Sequence, residues 1–422
     1  MKALFKDAVV CLDGEVKKQD MLFDDAVLSV FRGNVFPATS FGNSIFNNCL
    51  IIPGLCDVHV HLREPGFSYK ETIATGTAAC ARGGYTAVCS MPNLKPAPDT
   101  PENIAPQLDA IRRTAVIPVY PYGTITKLQA GLELSDMDGL SADAIAFSDD
   151  GKGVQTEELM EAAMRKAKSL GKLIVAHCED NSLLRGGYIH DGEYARLHGH
   201  RGICSESEWG PIKRDLELVE RTGCGYHVCH ISTKESVALI REAKRHGLDV
   251  TCETAPHYLV MDDSELLDEG RFKMNPPIRS REDREALLEG LLDGTIDMIA
   301  TDHAPHSAEE KSCGLEGSLM GVVGIETAFA VLYTELVCKG IMSLERLVEA
   351  MCYAPRRRFG ITSDMGYTVF ETEREYAIDP KEFLSMGRST PFEGRVVRGR
   401  CLATVYNGKT VYASDELGNE KV

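Results

Sequence analysis

The apolar positions divide the chain into three textures. In residues 1–53, short β-type runs (Ala8-Val9-Val10-Cys11-Leu12, Met21-Leu22-Phe23 and Ala26-Val27-Leu28-Ser29-Val30) alternate with turn residues, and Asp13-Gly14 is a hairpin signal. From Leu55 onwards, continuous apolar runs of strand length alternate with amphipathic helical stretches. Eight strand candidates fall near 55–61, 85–91, 116–122, 144–148, 172–177, 225–231, 248–254 and 296–301. Helices are predicted between them, among them Thr156 to Leu170, Ser232 to His246 and Ser280 to Leu292. Ser232-Thr233-Lys234-Glu235 has the form of a capping box, and Val237, Ile240 and Ala243 give the helix after it an apolar face. Eight β/α units predict an α/β fold with a (β/α)8 TIM barrel over 54–360; a doubly wound sheet is the alternative, because periodicity cannot tell a closed sheet from an open one. From Arg388 the texture returns to β, with an Asn407-Gly408 hairpin. Residues 1–53 and 361–422 are therefore expected to form one small β-sandwich domain from both termini.

Composition narrows the function classes. The chain has 422 residues, 43% hydrophobic and 26% charged, and a net charge of −17, which argues against nucleic acid and anionic membrane surfaces as partners. No apolar stretch reaches the ~18 residues of a membrane span, and Met1-Lys2-Ala3-Leu4-Phe5-Lys6-Asp7 lacks a signal-peptide core, so a cytoplasmic protein is expected. The 14 cysteines are scattered, without a Cys-x-x-Cys, and several sit in strand-like runs, so reduced core thiols are expected. A homodimer is the base-rate expectation.

A barrel of this kind carries its chemistry where strands end and loops begin. Cys56-Asp57-Val58-His59-Val60-His61 is a buried strand running into the turn Pro65-Gly66, and strand alternation sends His59 and His61 to the same side. Alone the pair is a weak signal. His198-Gly199-His200 has the same spacing in a polar segment and reads as a loop feature. Other strand candidates also end in metal-binding side chains: Asp149-Asp150 after 144–148, His177, His230, and Asp302-His303 with His306 close behind. Each has an ordinary explanation taken singly, Asp150 and Asp302 as caps and the histidines as core residues. Unrelated roles would not all gather at the same ends of five β/α units. Four imidazoles and two carboxylates suffice for two zinc ions with one carboxylate bridging them, which lowers the pKa of a shared water and polarises a cyclic amide carbonyl. Asp302 is then the candidate proton shuttle for the amide nitrogen.

Asp57-x-His59-x-His61-Leu62-Arg63-Glu64-Pro65-Gly66, with Ala300-Thr301-Asp302-His303-Ala304-Pro305-His306 and Lys311, resembles the paired signatures of the dihydroorotases of the amidohydrolase superfamily. The resemblance extends through Met91-Pro92-Asn93, Asp149-Asp150-Gly151, Ala176-His177-Cys178-Glu179-Asp180, Lys273-Met274-Asn275-Pro276-Pro277 and Pro391-Phe392-x-Gly394. It implies the barrel with its terminal β-sandwich and the reversible interconversion of dihydroorotate and N-carbamoyl-aspartate in pyrimidine synthesis. It also implies that His59, His61 and Asp302 bind a first zinc ion and His177 and His230 a second. Asp150 would bridge the two, with Asp149 or a carbamylated Lys152 as alternatives.

The carboxylate of dihydroorotate would meet Arg63, whose planar fork suits bidentate pairing, together with Asn93 and His306, which resemble the family's other carboxylate contacts. Asn275 would face the polar edge of the ring, its ordinary alternative being a turn residue before Pro276-Pro277. The family's usual Phe-Gly pair, whose backbone faces the ring, is Met320-Gly321 here. The Gly-rich run from Gly314 to Gly324 reads as a mobile loop beside the site. Two other readings stay open: an allantoinase or hydantoinase sharing the metals, and an inactive partner of aspartate transcarbamoylase, although every ligand position is filled.

Overall fold

The computed structural model describes residues 2–12, 15–30 and 45–418; the Asp13-Gly14 turn lies outside them. In chain order, β1 (Lys2–Leu12), β2 (Glu15–Asp24), β3 (Val27–Val30), β4 (Ile45–Asn47) and β5 (Leu50–Pro53) come first. They are followed by β6 (Leu55–Val60), β7 (Tyr85–Ser90), β8 (Val119–Pro121), β9 (Ile174–Ala176), β10 (Ile189–His190), β11 (Gly202–Ile203), β12 (Tyr226–Val228), β13 (Val250–Thr254) and β14 (Met298–Ile299). The chain ends with β15 (Tyr367–Glu371), β16 (Tyr376–Ala377), β17 (Val396–Val397), β18 (Arg400–Tyr406) and β19 (Lys409–Ala413).

The fold is mixed α/β. Strands β6-β7-β8 form one parallel sheet and β9-β12-β13-β14 another, with neighbours in sequence order apart from the small β10-β11 pair. The predicted strand at 144–148 forms no regular strand. Phe147 instead makes single parallel bridges to Gly123 and to Ile174, linking the end of the first sheet to the start of the second. Val60 and His303 bridge the other two ends.

Alternation along the strands explains the packing. Leu55, Val88, Ile174 and Val228 pack with helix residues such as Ala163, Ile212 and Ile240. Cys56, Val58, Ala87, Cys89, Val175 and Met298 form a separate cluster, as expected of strands buried on both faces. Predicted helices appear at Glu157–Ser169, Lys234–Arg245 and Arg281–Asp293. The second is capped differently from the expectation: Thr233 is the N-cap, accepting from the Ser236 amide, and the Ser232 and Thr233 hydroxyls both donate to the buried Glu208 carboxylate.

Both termini meet in one sheet of order β19-β18-β15-β5-β1-β2-β3, with β4 also pairing β1. Strand β15, which the sequence reading did not find, joins the two halves by pairing with β5 and β18. A single residue, Gly54, separates β5 of this sheet from β6, so the strand that carries the histidine pair starts directly from it.

Candidate active site

The pairing of β6 with β7 slips between Asp57 and Val60, a bulge that re-aims the strand end. Asp57 fixes this end: Oδ1 accepts from the His59 amide at 2.9 Å, and Oδ2 accepts from the Thr301 amide at 3.0 Å and its hydroxyl at 2.6 Å. One buried carboxylate thus ties the histidine-bearing strand to the residue before Asp302. Its burial outweighs these bonds and lifts its pKa to about 7.

The Asp150 carboxylate sits among four imidazoles. Its Oδ1 lies 3.4 Å from His59 Nε2, His177 Nδ1 and His230 Nε2, and its Oδ2 lies 3.5 Å from His61 Nε2. Asp302 Oδ1 is 3.0 Å from His61 Nε2 and 3.5 Å from His59 Nε2. Burial alone would raise the Asp150 pKa, but the positive field of His59 and the close approach of the surrounding imidazoles hold it well below the usual carboxylate range. Arg63, His230 and Asp302 have φ of +60°, +30° and +48°, left-handed conformations that cost energy for non-glycine residues and gather at functional sites.

This donor set fits a metal. His59 Nε2 and Asp150 Oδ1 are buried without a hydrogen-bond partner although they face each other. For bonds of about 2.0–2.1 Å, tetrahedral ligands stand about 3.3–3.4 Å apart, close to the separations around Asp150. His59, His61 and Asp302 form one grouping able to hold an ion, and His59, Asp150 and His230 another. The outer nitrogen of His59 is also held: Nδ1 lies 2.7 Å from Glu253 Oε1, and Glu253 Oε2 lies 3.1 Å from His227 Nε2. Glu253 and His227 had no role in the sequence reading; the signal was a lone carboxylate in the otherwise uncharged β13.

The two neighbours weighed against Asp150 have other surroundings. Asp149 turns away and accepts from the Ile125 and Thr126 amides and the Thr126 hydroxyl. Lys152 is exposed in the turn that follows. The His198/His200 pair is not a simple loop feature: His198 closes the helix Glu193–His198 and stacks on Tyr194 at 4.2 Å, while His200 Nδ1 bonds the Tyr188 hydroxyl at 2.9 Å.

Above the cluster opens a cavity of about 220 Å³. Eleven of the twelve residues singled out from the sequence line it: His61, Arg63, Asn93, Asp150, His177, His230, Asn275, Asp302, His306, Met320 and Gly321. His59 lies fully buried beneath. Arg63 Nε donates to the Pro305 carbonyl at 3.1 Å. Asn93 Nδ2 donates to the Asp150 carbonyl at 2.6 Å, leaving its Oδ1 buried and unpartnered, and Asn275 Nδ2 donates to Glu179 Oε1 at 2.8 Å. His306 Nε2 donates to the Met320 carbonyl at 2.8 Å. Gly321 has φ of +128°, and a Cβ there would stand 3.0 Å from His306 Nε2, so only glycine fits. The Gly-rich segment contains the helical turn Gly314–Gly317 and is pinned where Lys311 Nζ donates to the Lys273 and Leu319 carbonyls.

Comparison with known proteins decides the family. A dihydroorotase of Halalkalibacterium halodurans is 47% identical over 430 residues, covering 99% of this chain and 100% of the relative. The chain belongs to the dihydroorotase family. A dihydroorotase of Bacillus cytotoxicus is 46% identical over 98% of this chain and 99% of its own length, and the Dihydro-orotase-like family pattern matches residues 48–236. Among solved structures, an L-hydantoinase (dihydropyrimidinase) from Arthrobacter aurescens superposes with a TM-score of 0.82 at 24% identity, covering 97% of this chain and 96% of its own. A dihydropyrimidinase from Brevibacillus agri gives 0.80 at 21%, covering 98% and 95%. These two likenesses carry the fold alone. In this dihydroorotase-family chain no described helix is long and apolar enough to cross a membrane.

Proposed function

We propose that the protein is an active dihydroorotase, hydrolysing (S)-dihydroorotate reversibly to N-carbamoyl-L-aspartate. The observation that carries this reading is the Asp150 carboxylate set among four imidazoles and opening, beside Asp302, onto a cavity that also holds Arg63 and His306. His59, His61 and Asp302 would hold one zinc ion, His177 and His230 a second, and Asp150 would bridge them. When bound, such ions lower the pKa of a water and polarise a carbonyl.

The chain's own groups do the rest. Arg63, His306 and Asn93 receive the substrate carboxylate and so set which ring carbon faces the cluster. Asn275 and the Met320-Gly321 backbone border the ring. Asp302 takes the proton released as water adds to the amide carbonyl and delivers it to the ring nitrogen as the C–N bond breaks. In the synthetic direction Asp302 runs the same transfer backwards. Glu253 and Asp57 keep His59 and the Asp302 strand end in register for this.

The bridges through Phe147 and between Val60 and His303 support a reading of the parallel segments as a closed (β/α)8 barrel over 54–360. Residues 1–53 and 361–422 then form the appended β domain. Fourteen free cysteines suit a reducing cytoplasm. Homodimer formation and association with aspartate transcarbamoylase are tested by the mass of the purified protein and by co-purification with the transcarbamoylase. The activity is tested by comparing dihydroorotate, hydantoin and allantoin as substrates of the zinc-supplemented protein. A clear preference for dihydroorotate is expected, and a preference for hydantoin would overturn the assignment.

A further inference from the structure

His306 is held from three sides, and the contacts on its Nδ1 are not explained by a carboxylate clamp alone. Lys70 is buried, with Nζ 3.2 Å from His306 Nδ1 and 3.0 Å from Glu310 Oε1. Glu310 Oε2 also lies 3.2 Å from Nδ1, but the shorter 2.8 Å approach of the Met320 carbonyl to Nε2 claims the single proton of a neutral ring. A lysine ammonium has hydrogens and no lone pair, so it addresses Nδ1 only if that nitrogen is the acceptor. The one ring proton then sits on Nε2, which agrees with Nε2 lying 2.8 Å from the Met320 carbonyl at the cavity wall. Burial, together with the charges of Arg63 and Lys70, pushes the His306 pKa down to about 3, so the ring is neutral and has one proton to place. Arg63 Nη2 stands 3.4 Å from Nε2, longer than the 2.8 Å to the Met320 carbonyl, so with the proton on Nε2 the two are donors side by side and border the same space.

We infer that Lys70 is a positioning residue for substrate specificity: by donating to Nδ1 it locks His306 in the tautomer whose N–H faces the cavity beside Arg63, building a subsite that selects cyclic amides bearing a carboxylate. In the free protein the Met320 carbonyl occupies this N–H, and a carboxylate oxygen takes it over on binding. Lys70 itself does not line the reaction cavity; it lines an adjoining one of about 300 Å³ that shares Arg63 and Asn93 with it. The inference rests on the dihydroorotase reading and adds a residue to it.

The test has two parts. In zinc-loaded enzyme, Lys70→Met is expected to raise KM for dihydroorotate about tenfold or more while kcat stays within about threefold, the loss of one charge-assisted contact network. Lys70→Arg, which keeps a donor and the charge, is expected to recover most of the loss. Nitrogen-15 spectra of histidine-labelled wild-type protein should show His306 protonated at Nε2 alone. In Lys70→Met the signal should shift towards a tautomer mixture. A wild-type ring protonated at Nδ1, or an unchanged KM and unchanged spectrum in Lys70→Met, overturns the inference. If the wild type does not hydrolyse dihydroorotate at all, the functional reading fails, and the tautomer spectra still decide what Lys70 does to His306.

Discussion

Removing the Glu253 carboxylate tests how the buried cluster is held. Glu253 is 1% exposed and grips His59 Nδ1 at 2.7 Å and His227 Nε2 at 3.1 Å, with no solvent to replace either contact. Its negative charge makes the opposite nitrogen, Nε2, a better electron donor and fixes the ring's rotation. Loss of such an outer partner costs about 10–100-fold in metal affinity, about 1.4–2.7 kcal/mol. In Glu253→Gln an amide oxygen can still accept from Nδ1, so the low end, about tenfold, is expected. In Glu253→Ala His59 Nδ1 and His227 Nε2 both lose the carboxylate, so the high end is expected, with a further folding cost of about 1–3 kcal/mol for the buried polar groups left unpaired. The assay titrates metal-stripped protein with zinc against a chromophoric chelator, alongside thermal melting of the metal-free form. The Gln variant should melt below the wild type in the metal-free form, because burial is outweighed by His59 and His227, which hold the Glu253 pKa down at about 2, so the folded protein favours the charge that glutamine removes. It should also bind zinc more weakly. Zinc affinity within twofold of wild type in a folded Glu253→Ala protein would refute the reasoning.

Other outcomes follow from the same geometry. Asp302→Ala should lower kcat by at least about 100-fold, the scale of a positioned acid–base group; near-normal turnover would move proton transfer elsewhere. Arg63→Met should raise KM for dihydroorotate about 10–100-fold with a smaller effect on kcat, and an unchanged KM would remove Arg63 from the carboxylate subsite. Burial, and then the nearby Lys273 charge, depress the Lys311 pKa to about 7. Between about pH 7 and the ordinary lysine value of about 10.4 the unfolded chain therefore binds a proton that the folded one does not, and wild-type stability should climb with pH relative to Lys311→Met. Urea midpoints of the two proteins at pH 7 and pH 9.5 check this; parallel changes would contradict it.

What the sequence made legible was local. His59, His61, His177, His230 and Asp302 stood out because each sits at the end of an apolar run, and strand ends are readable from composition. The strand at 144–148 was misjudged because Ala144 to Phe147 is apolar enough for a strand, whereas in the fold Phe147 alone bridges both neighbours. Strand β15 was missed because one of its two pairing partners, β5, lies about 300 residues away, with nothing in Tyr367–Glu371 to announce it. Glu253, Asp57 and Lys70 were invisible in their roles for a related reason. A buried carboxylate or ammonium is explained by what faces it, and His59, Thr301 and His306 face these three from other parts of the chain. Asp149 and Asp150 are chemically identical neighbours, and only the direction of the backbone separates the one that accepts from amides from the one that meets the imidazoles.

The most direct measurement is turnover of dihydroorotate by metal-stripped protein as zinc is added back. Activity should be absent at the start, rise with added metal and level off at two equivalents per chain. A preparation that takes up no zinc, or that takes it up and leaves dihydroorotate intact, would contradict the account.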